Sequence, residues 1–211
     1  MKFLVAVALL ATSANAFNSF SPKRAVAKLV ESTFNVNTIP GALAPVGIFD
    51  PLNFAGKADG ATLKRYREAE IQHGRVGMLA VVGFLVGEKV EGSSFLFDAQ
   101  VSGPAITHLS QVPALFWVFL ITAIGAAEQK RAVIGFVDPS EVPVGQPGLL
   151  RAEYTPGDIG FDPLGIKPSD PFELEIMQTK ELQNGRLAML AAAGFMAQEL
   201  VDGKGIFEHL N

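Results

Sequence analysis

The sequence predicts an all-α membrane protein with three transmembrane helices and a short amphipathic helix near its C-terminus. Three observations support this fold class. The chain is 49% apolar and 18% charged, against about 25% charged residues in soluble domains. One long segment carries no charged residue. An internal repeat places the same charged cluster in two other helices, and it predicts that the first and third helices cross about a pseudo-twofold axis.

The first 30 residues are typical of targeting segments. Lys2, the apolar run 3–11 and the small residues at 14–16 form the three parts of a secretory signal. The apolar run is too short to span a bilayer, which needs about 20 residues. Residues 17–30 are basic and contain no acid, a composition typical of transit peptides. We expect a signal peptide at 1–16, a transit segment at 17–30 and one folded domain at 31–211.

Three helices are expected to cross the membrane, at about residues 62–88, 111–131 and 170–201. The middle span is the clearest, because residues 99–127 contain no Asp, Glu, Lys or Arg. The charge-free runs 76–87 and 187–198 each cover about half a span. Both continue upstream through a charged cluster, so hydropathy alone would identify only the middle helix.

The two charged clusters form the internal repeat. Residues 70–84 and 181–195 are identical at nine of 15 positions. A Phe-Asp-Pro-Leu segment precedes each of them, at 49–52 and 161–164. The repeated unit is therefore an extended acidic entry followed by a long helix.

The repeat predicts two reciprocal ion pairs between its helices. Glu70 and Arg75 are five residues apart, whereas a pair within one helix needs a separation of three or four. If the helices cross about a twofold axis, Glu70 meets Arg186 and Arg75 meets Glu181. A lone carboxylate in hydrocarbon would cost several kcal/mol. Pairing offsets this cost and fixes the register, and the small residues of the repeat permit close approach.

Two polar pairs lie beside these arginines. Glu70 with His73, and Glu181 with Asn184, are three residues apart and therefore share a helix face. A carboxylate that is neutralised by Arg keeps a free lone pair, and His or Asn offers a single nitrogen or oxygen. Such single ligands suit a metal that another group already holds in a plane, such as magnesium in a chlorin ring. A purely structural role is the alternative, and it is the one favoured for the two arginines.

Composition and motifs exclude several other functions. The net charge of −4 provides no basic surface for nucleic acids. The absence of Cys excludes disulfides, thiolate metal sites and cysteine nucleophiles. No residue set resembles a nucleophile–base pair or a phosphate loop, so we expect no enzymatic activity. A transporter or ion-conducting protein that uses the buried Glu, His and Arg is the alternative, although three spans are few for it.

The Glu-xx-His/Asn-x-Arg repeat, the two Phe-Asp-Pro-Leu segments and the Gly-Ala-Ala-Glu-Gln-Lys-Arg stretch at 125–131 resemble the light-harvesting complex superfamily. Within it, the chain is most similar to the fucoxanthin and chlorophyll a/c-binding branch, and residues 62–70 and 103–113 to the stress-related, photoprotective subgroup of diatoms and related algae. The resemblance covers residues 41–211. It implies an antenna protein that harvests light, passes excitation to a photosystem and dissipates it for photoprotection.

The resemblance also implies site residues and pigments. It places axial ligands of chlorophyll magnesium at Glu70, His73, Glu181, Asn184 and Gln198. It places two further pigment-binding residues at Glu128 and His209, for which an interfacial position and a surface role are the respective alternatives. The implied cofactors are chlorophyll a, chlorophyll c, fucoxanthin, and diadinoxanthin or diatoxanthin, with the carotenoids in grooves beside the crossed helices.

Charge asymmetry orients the predicted spans. Basic residues precede the first helix, follow the second and precede the third, and this positive side faces the compartment of synthesis. Because the leader resembles a bipartite plastid address, we expect a thylakoid membrane protein of the chloroplast with a stromal N-terminus and a lumenal C-terminus. The expected partners are thylakoid lipids, the photosystem I or II core and other antenna subunits, with no nucleic acid.

Acidic residues gather on the opposite, lumenal side. Two of them, Asp98 and Glu208, follow apolar residues, and apolar surroundings disfavour the charged form of a carboxyl. We therefore expect Asp98 and Glu208 to sense acidification of the lumen. Solvated loop acids without such a role are the alternative.

Overall fold

The computed structural model describes residues 39–45, 47–91, 101–142 and 148–210. Apart from two isolated β-bridges, the regular structure of these residues is helical, so the predicted all-α class is confirmed. The helices are α1 (Phe54–Lys57), α2 (Gly60–Val90), α3 (Ala105–Gln111), α4 (Ala114–Gly135), α5 (Pro171–Asp202) and α6 (Ile206–Leu210). The expected signal peptide at 1–16 and transit segment at 17–30 lie outside the described residues.

The two halves of the repeat form the two longest helices. α2 has 31 residues and α5 has 32, which corresponds to about 46–48 Å of helix at 1.5 Å per residue. Each begins after an aspartate whose side chain accepts a backbone hydrogen bond, Asp59 from Thr62 and Asp170 from Glu173. These N-caps satisfy donors that have no partner inside the helix. α5 ends at Gly203, whose left-handed conformation suits glycine.

α2 and α5 cross where two glycines meet. A Cβ atom built on Gly185 would lie 2.9 Å from the Cα of Gly74, and the reverse distance is 3.0 Å. Any side chain at either position would therefore strike the backbone of the other helix. Further along the helices, the rings of Phe84 and Phe195 lie 6.1 Å apart. Equivalent residues of the repeat thus meet each other, which is the relation that a twofold axis imposes.

α4 lies apart from this crossing. Gly135 is its one buried residue, and apolar side chains around it are exposed, among them Leu115, Phe119 and Ile121. In the described part of the chain, most contacts between helices join α2 to α5, and α4 shares few with any other helix. Contiguous exposed apolar side chains mark a surface that contacts a membrane or another molecule, and the described residues do not cover this one.

The length and hydropathy of the helices give weaker evidence for membrane spans than the charge-free runs and the internal repeat do. No single helix among the described residues is both long and apolar enough to be a membrane span. α3 and α4 meet the criteria only as a pair, bent by 104° at the break between them. The number of spans therefore stays a prediction.

The glycine contact can be tested against a matched glycine on the same helix. We expect Gly185→Ala to destabilise the protein by about 1–3 kcal/mol, because its methyl group overpacks the backbone of α2. Gly194→Ala is the control, since nothing lies within 4 Å of a Cβ there, and it should stabilise by about 1 kcal/mol or less through helix propensity. Thermal unfolding followed by far-UV circular dichroism measures both. Equal midpoints for the two variants would contradict the backbone contact.

Candidate functional site

Two arginines bridge the crossed helices. Arg75 Nε lies 2.7 Å from Glu181 Oε1, and Arg186 Nε lies 2.8 Å from Glu70 Oε1. The structure thus brings together both pairs that the repeat predicts. The four side chains are 30–39% exposed, so each charge is partly removed from solvent and is neutralised by a residue of the other helix.

The two carboxylates differ in their surroundings. Glu70 Oε2 lies 3.2 Å from Nη1 of Arg67, one turn earlier on α2. The repeat has Gln178 at the position equivalent to Arg67, and Oε2 of Glu181 has no hydrogen-bond donor among the described residues. Glu181 therefore keeps one oxygen free, whereas Glu70 shares its second oxygen with another guanidinium.

His73 and Asn184 are oriented by the same kind of hydrogen bond. His73 Nδ1 lies 2.7 Å from the carbonyl oxygen of Ala69, and Asn184 Nδ2 lies 2.9 Å from that of Lys180. Because a carbonyl oxygen only accepts, Nδ1 of His73 carries the proton and Nε2 keeps its lone pair. The amide oxygen of Asn184 is likewise left free. Both side chains are exposed on the outer faces of their helices, where a ligand for an external group must lie.

Gln198 and His209 share one carboxylate. Gln198 Nε2 donates to Oδ2 of Asp202, and His209 Nδ1 lies 3.1 Å from the same oxygen. These contacts leave Oε1 of Gln198 and Nε2 of His209 available. A carboxylate that binds the inner nitrogen of a histidine is a common way to orient a metal-binding imidazole.

Glu128 on α4 is held by an arginine of the same helix. Arg131 Nε donates to Glu128 Oε2 at 2.9 Å, and Arg131 Nη1 donates to Glu68 Oε1 at 3.0 Å. Arg131 therefore joins α4 to α2. Oε1 of Glu128 has no donor within the described ranges, so this residue also presents one free oxygen.

Glu68 was not singled out by the sequence analysis, yet it is 2% exposed. Its Oε2 accepts hydrogen bonds from the Tyr154 hydroxyl at 3.1 Å and from the Gly157 backbone at 2.7 Å. Burial raises the pKa of Tyr154 to about 12, and the charge of Glu68 adds to this. A charged residue inside a predicted span needs a partner, and this requirement was the signal that could have identified Glu68.

The Phe-Asp-Pro-Leu segments form equivalent turns. Asp50 accepts hydrogen bonds from the backbone of Phe54 and Ala55, and Asp162 accepts them from Ile166 and Lys167. These backbone hydrogen bonds lower the pKa of Asp162. The repeated aspartates therefore shape the chain where it enters each long helix.

A cavity of about 950 Å³ lies beside the second of these turns. It is bounded by α2, α5 and residues 155–167, and its apolar lining includes Ile71, Leu174 and Phe161. The ion-paired Arg75 and Glu181 also line it. The cavity is therefore lined mainly by apolar side chains of the crossed helices, together with charged groups of the helices and of the turn.

At the other end of the crossing, two equivalent glutamates hold the short helices. Glu199 Oε2 accepts from the backbone of Ile106 in α3 at 2.7 Å. Glu88 accepts from the backbone of Ile206 and Phe207 in α6. The repeat therefore extends beyond the segment in which the sequence alone revealed it.

The two expected acid sensors are not both described. Asp98 lies outside the described residues. Glu208 is exposed on α6, so the apolar surroundings that its sequence neighbours suggested are not found there.

Comparison with known proteins gives consistent relatives. Residues 36–200 match the family model described as Chlorophyll A-B binding protein. The chloroplastic light-harvesting complex stress-related protein 3.2 of Chlamydomonas reinhardtii is 47% identical over 208 residues, covering 97% of this chain and 79% of the relative. A chloroplastic fucoxanthin-chlorophyll a-c binding protein of Isochrysis galbana is 47% identical over 165 residues, covering 78% and 77%. The chloroplastic fucoxanthin-chlorophyll a-c binding protein F of Phaeodactylum tricornutum is 32% identical over 207 residues, covering 94% and 95%.

The ion pairs can be tested by removing one partner and then neutralising the other. Arg75→Leu leaves Glu181 unpaired and should cost about 3 kcal/mol, the lower end of values for one-sided removal of a buried pair, because both side chains are about one-third exposed. Adding Glu181→Gln removes the lone charge and should restore part of the loss. Thermal unfolding of the single and double variants gives the result. If Arg75→Leu alone unfolds at the wild-type temperature, the pair does not hold the crossing.

Proposed function

The chain belongs to the chlorophyll A-B binding protein family, and from this membership and the geometry of its crossed helices we propose that it is a pigment-binding antenna protein of the thylakoid membrane. It holds chlorophylls and carotenoids at fixed positions and catalyses no reaction. One observation carries the proposal: equivalent residues of the repeat, His73 and Asn184, each present a single free ligand atom outward beside a carboxylate that arginine neutralises.

When bound, chlorophyll would supply a ring that absorbs light and a magnesium ion that takes one ligand from the protein. The chain supplies that ligand and fixes the direction from which it binds. His73 would bind through Nε2, Asn184 through Oδ1 and Glu181 through Oε2, because the remaining polar atoms of these side chains are occupied by hydrogen bonds. Glu70, Gln198, Glu128 and His209 complete the proposed set of ligands.

The helices set the distances between the pigments. Residues three apart differ by about 4.5 Å along a helix axis, and Asn184 and Gln198 by about 21 Å. The helix backbone sets the separations along each axis, and the glycine contact fixes one long helix relative to the other. Side-chain motion alone therefore does not change these separations. Fixed pigment separations are what the transfer of excitation to a photosystem requires.

The carotenoids lie in the grooves beside the crossed helices. The cavity between α2, α5 and residues 155–167 has a volume of about 950 Å³ and a mainly apolar lining, and Asp162 of the turn is one of its polar lining residues. A rod-shaped conjugated molecule with polar ends fits this combination. The relatives named fucoxanthin-chlorophyll a-c binding proteins favour fucoxanthin, with chlorophyll a and chlorophyll c. Diadinoxanthin or diatoxanthin is proposed for the remaining carotenoid sites.

The exposed surface supports a membrane location. Large apolar side chains are exposed on the outer faces of both long helices, including Val76, Leu79, Leu187 and Leu190. In a thylakoid bilayer these side chains and those of α4 would contact lipid or pigment tails. The basic residues of the first and third helix entries place the N-terminus in the stroma and the C-terminus in the lumen. This arrangement carries three membrane spans.

We also propose a photoprotective role, with excitation dissipated when the lumen is acidified. The names of the stress-related relatives support it. Asp98 and Glu208 are the proposed sensors, because the sequence assigns both to acidic segments on the expected lumenal side, where their negative charges would repel each other. Protonation would remove this repulsion and let the segments approach, which changes the distances between nearby pigments.

A single ligand can be removed without touching either ion pair. His73→Leu should remove about one chlorophyll per polypeptide while the complex still assembles, because leucine fills the site but offers no lone pair. His108→Leu is the matched control, since its ring contacts the carbonyl of Gly103 and is assigned no pigment. The chlorophyll-to-protein ratio of each variant, reconstituted with chlorophylls and fucoxanthin, decides the case. An unchanged ratio in His73→Leu would reduce His73 to a structural residue.

The dissipation proposal predicts a change in fluorescence lifetime. Asp98→Asn combined with Glu208→Gln should give a short chlorophyll fluorescence lifetime at neutral pH, where the fluorescence lifetime of the wild-type protein should be long. Glu173→Gln, an exposed acid at the opposite end of α5, is the control and should behave as the wild type. If the wild type and the double variant have the same fluorescence lifetime at neutral pH and also at acidic pH, Asp98 and Glu208 are not the pH sensors.

A further inference from the structure

Glu68 is a buried carboxylate that the proposed function does not use. Its Oε1 accepts from Arg131 Nη1 at 3.0 Å and Gln72 Nε2 at 3.2 Å. Its Oε2 accepts from the Tyr154 hydroxyl and the Gly157 backbone. With two donors on each oxygen, the carboxylate is fixed in orientation. Arg131 supplies the positive charge that a carboxylate at this depth needs.

Arg131 divides its donors between two carboxylates. Nη1 binds Glu68 on α2, while Nε and Nη2 both bind Oε2 of Glu128 on α4. A guanidinium is planar and rigid, so fixing one of its nitrogens fixes the directions of the other two. The orientation of Glu128 therefore depends on a residue of another helix.

This dependence matters because α4 offers Glu128 little other support. The Glu128 side chain is 51% exposed, and a free surface glutamate would occupy several rotamers. With Oε2 bound by Arg131, the side chain is held in one orientation and Oε1 stays open to the outside. A ligand atom held in this way binds without first losing rotamer entropy.

We propose that Glu68 is a positioning residue for the pigment on α4: through Arg131 it fixes Glu128 so that Oε1 binds the magnesium of a chlorophyll. The inference rests on the proposed function, in which Glu128 is a chlorophyll ligand. It assigns a pigment-related role to a residue that touches no pigment. It also means that the pigment on α4 would have a fixed position relative to the crossed helices α2 and α5.

The test compares the absorption spectra of reconstituted variants. Glu68→Gln has one acceptor oxygen for four donors, so it releases Arg131. We expect chlorophyll binding at Glu128 to weaken by about 10- to 100-fold, as for other residues that orient a metal ligand. The absorption difference spectrum between wild type and Glu68→Gln should then match the difference spectrum between wild type and Glu128→Leu. Adding Glu128→Leu to Glu68→Gln should cause no further loss.

Two variants separate positioning from general stability. Tyr154→Phe removes another donor from the same carboxylate but leaves the contact with Arg131, so it should keep the band that Glu68→Gln loses. Arg131→Lys keeps the positive charge but has a single ammonium, which cannot serve both glutamates. It should lose the same band, and it decides the question if Glu68→Gln does not assemble.

The outcomes also distinguish this inference from the proposed function. A proportional loss of all bands in both Glu68→Gln and Arg131→Lys, or a full complement in both, would overturn the positioning role. If Glu128→Leu loses a chlorophyll and neither of the two variants does, Glu128 is a ligand that needs no positioning residue. If Glu128→Leu itself keeps every pigment, the assignment of Glu128 under the proposed function fails instead.

Discussion

The backbone contact between Gly74 and Gly185 is the constraint on which the rest of the structure depends. At this point the two long helices have no room for a Cβ atom, and the close approach brings the arginine of each helix within reach of the glutamate of the other. Both ion pairs then close at 2.7–2.8 Å. Without the glycines the helices would stand further apart, and the four charges in the two predicted membrane spans would lose their partners on the other helix.

The same geometry accounts for the arrangement of the candidate ligands. Gly74 and Gly185 face the crossing, whereas His73 and Asn184 face away from it and each keeps one unused lone pair. His73 and Asn184 achieve this with different chemical groups, because each donates its N–H to the carbonyl four residues earlier. The histidine and the asparagine at equivalent positions therefore each present one neutral ligand atom on the outer face of the helix.

The sequence predicted the parts of this arrangement that belong to the repeat. The five-residue separation of Glu70 and Arg75 excluded an ion pair within one helix. The twofold relation of the repeat then predicted that each of them pairs with a residue of the other helix. Glu68 was missed because its partners come from α4 and from a loop that the repeat does not contain. The capping roles of Glu88 and Glu199 were missed because the sequence predicted the short C-terminal helix but not the side chain that holds it, and it did not predict α3. Glu208 shows the limit of judging burial from neighbours, since apolar residues before it do not cover its exposed side chain.

An electron cryomicroscopy structure of the pigment-loaded protein can show whether the outer faces of the crossed helices bind chlorophyll through His73 and Asn184. We expect planar density over both outer faces of the crossing, with a magnesium within coordination distance of His73 Nε2 and of Asn184 Oδ1. Both ion pairs between the helices should be intact in the same map. Intact ion pairs with no ring density at His73 or Asn184 would contradict the proposed chlorophyll binding, because the crossing would then hold the fold without presenting the pigments.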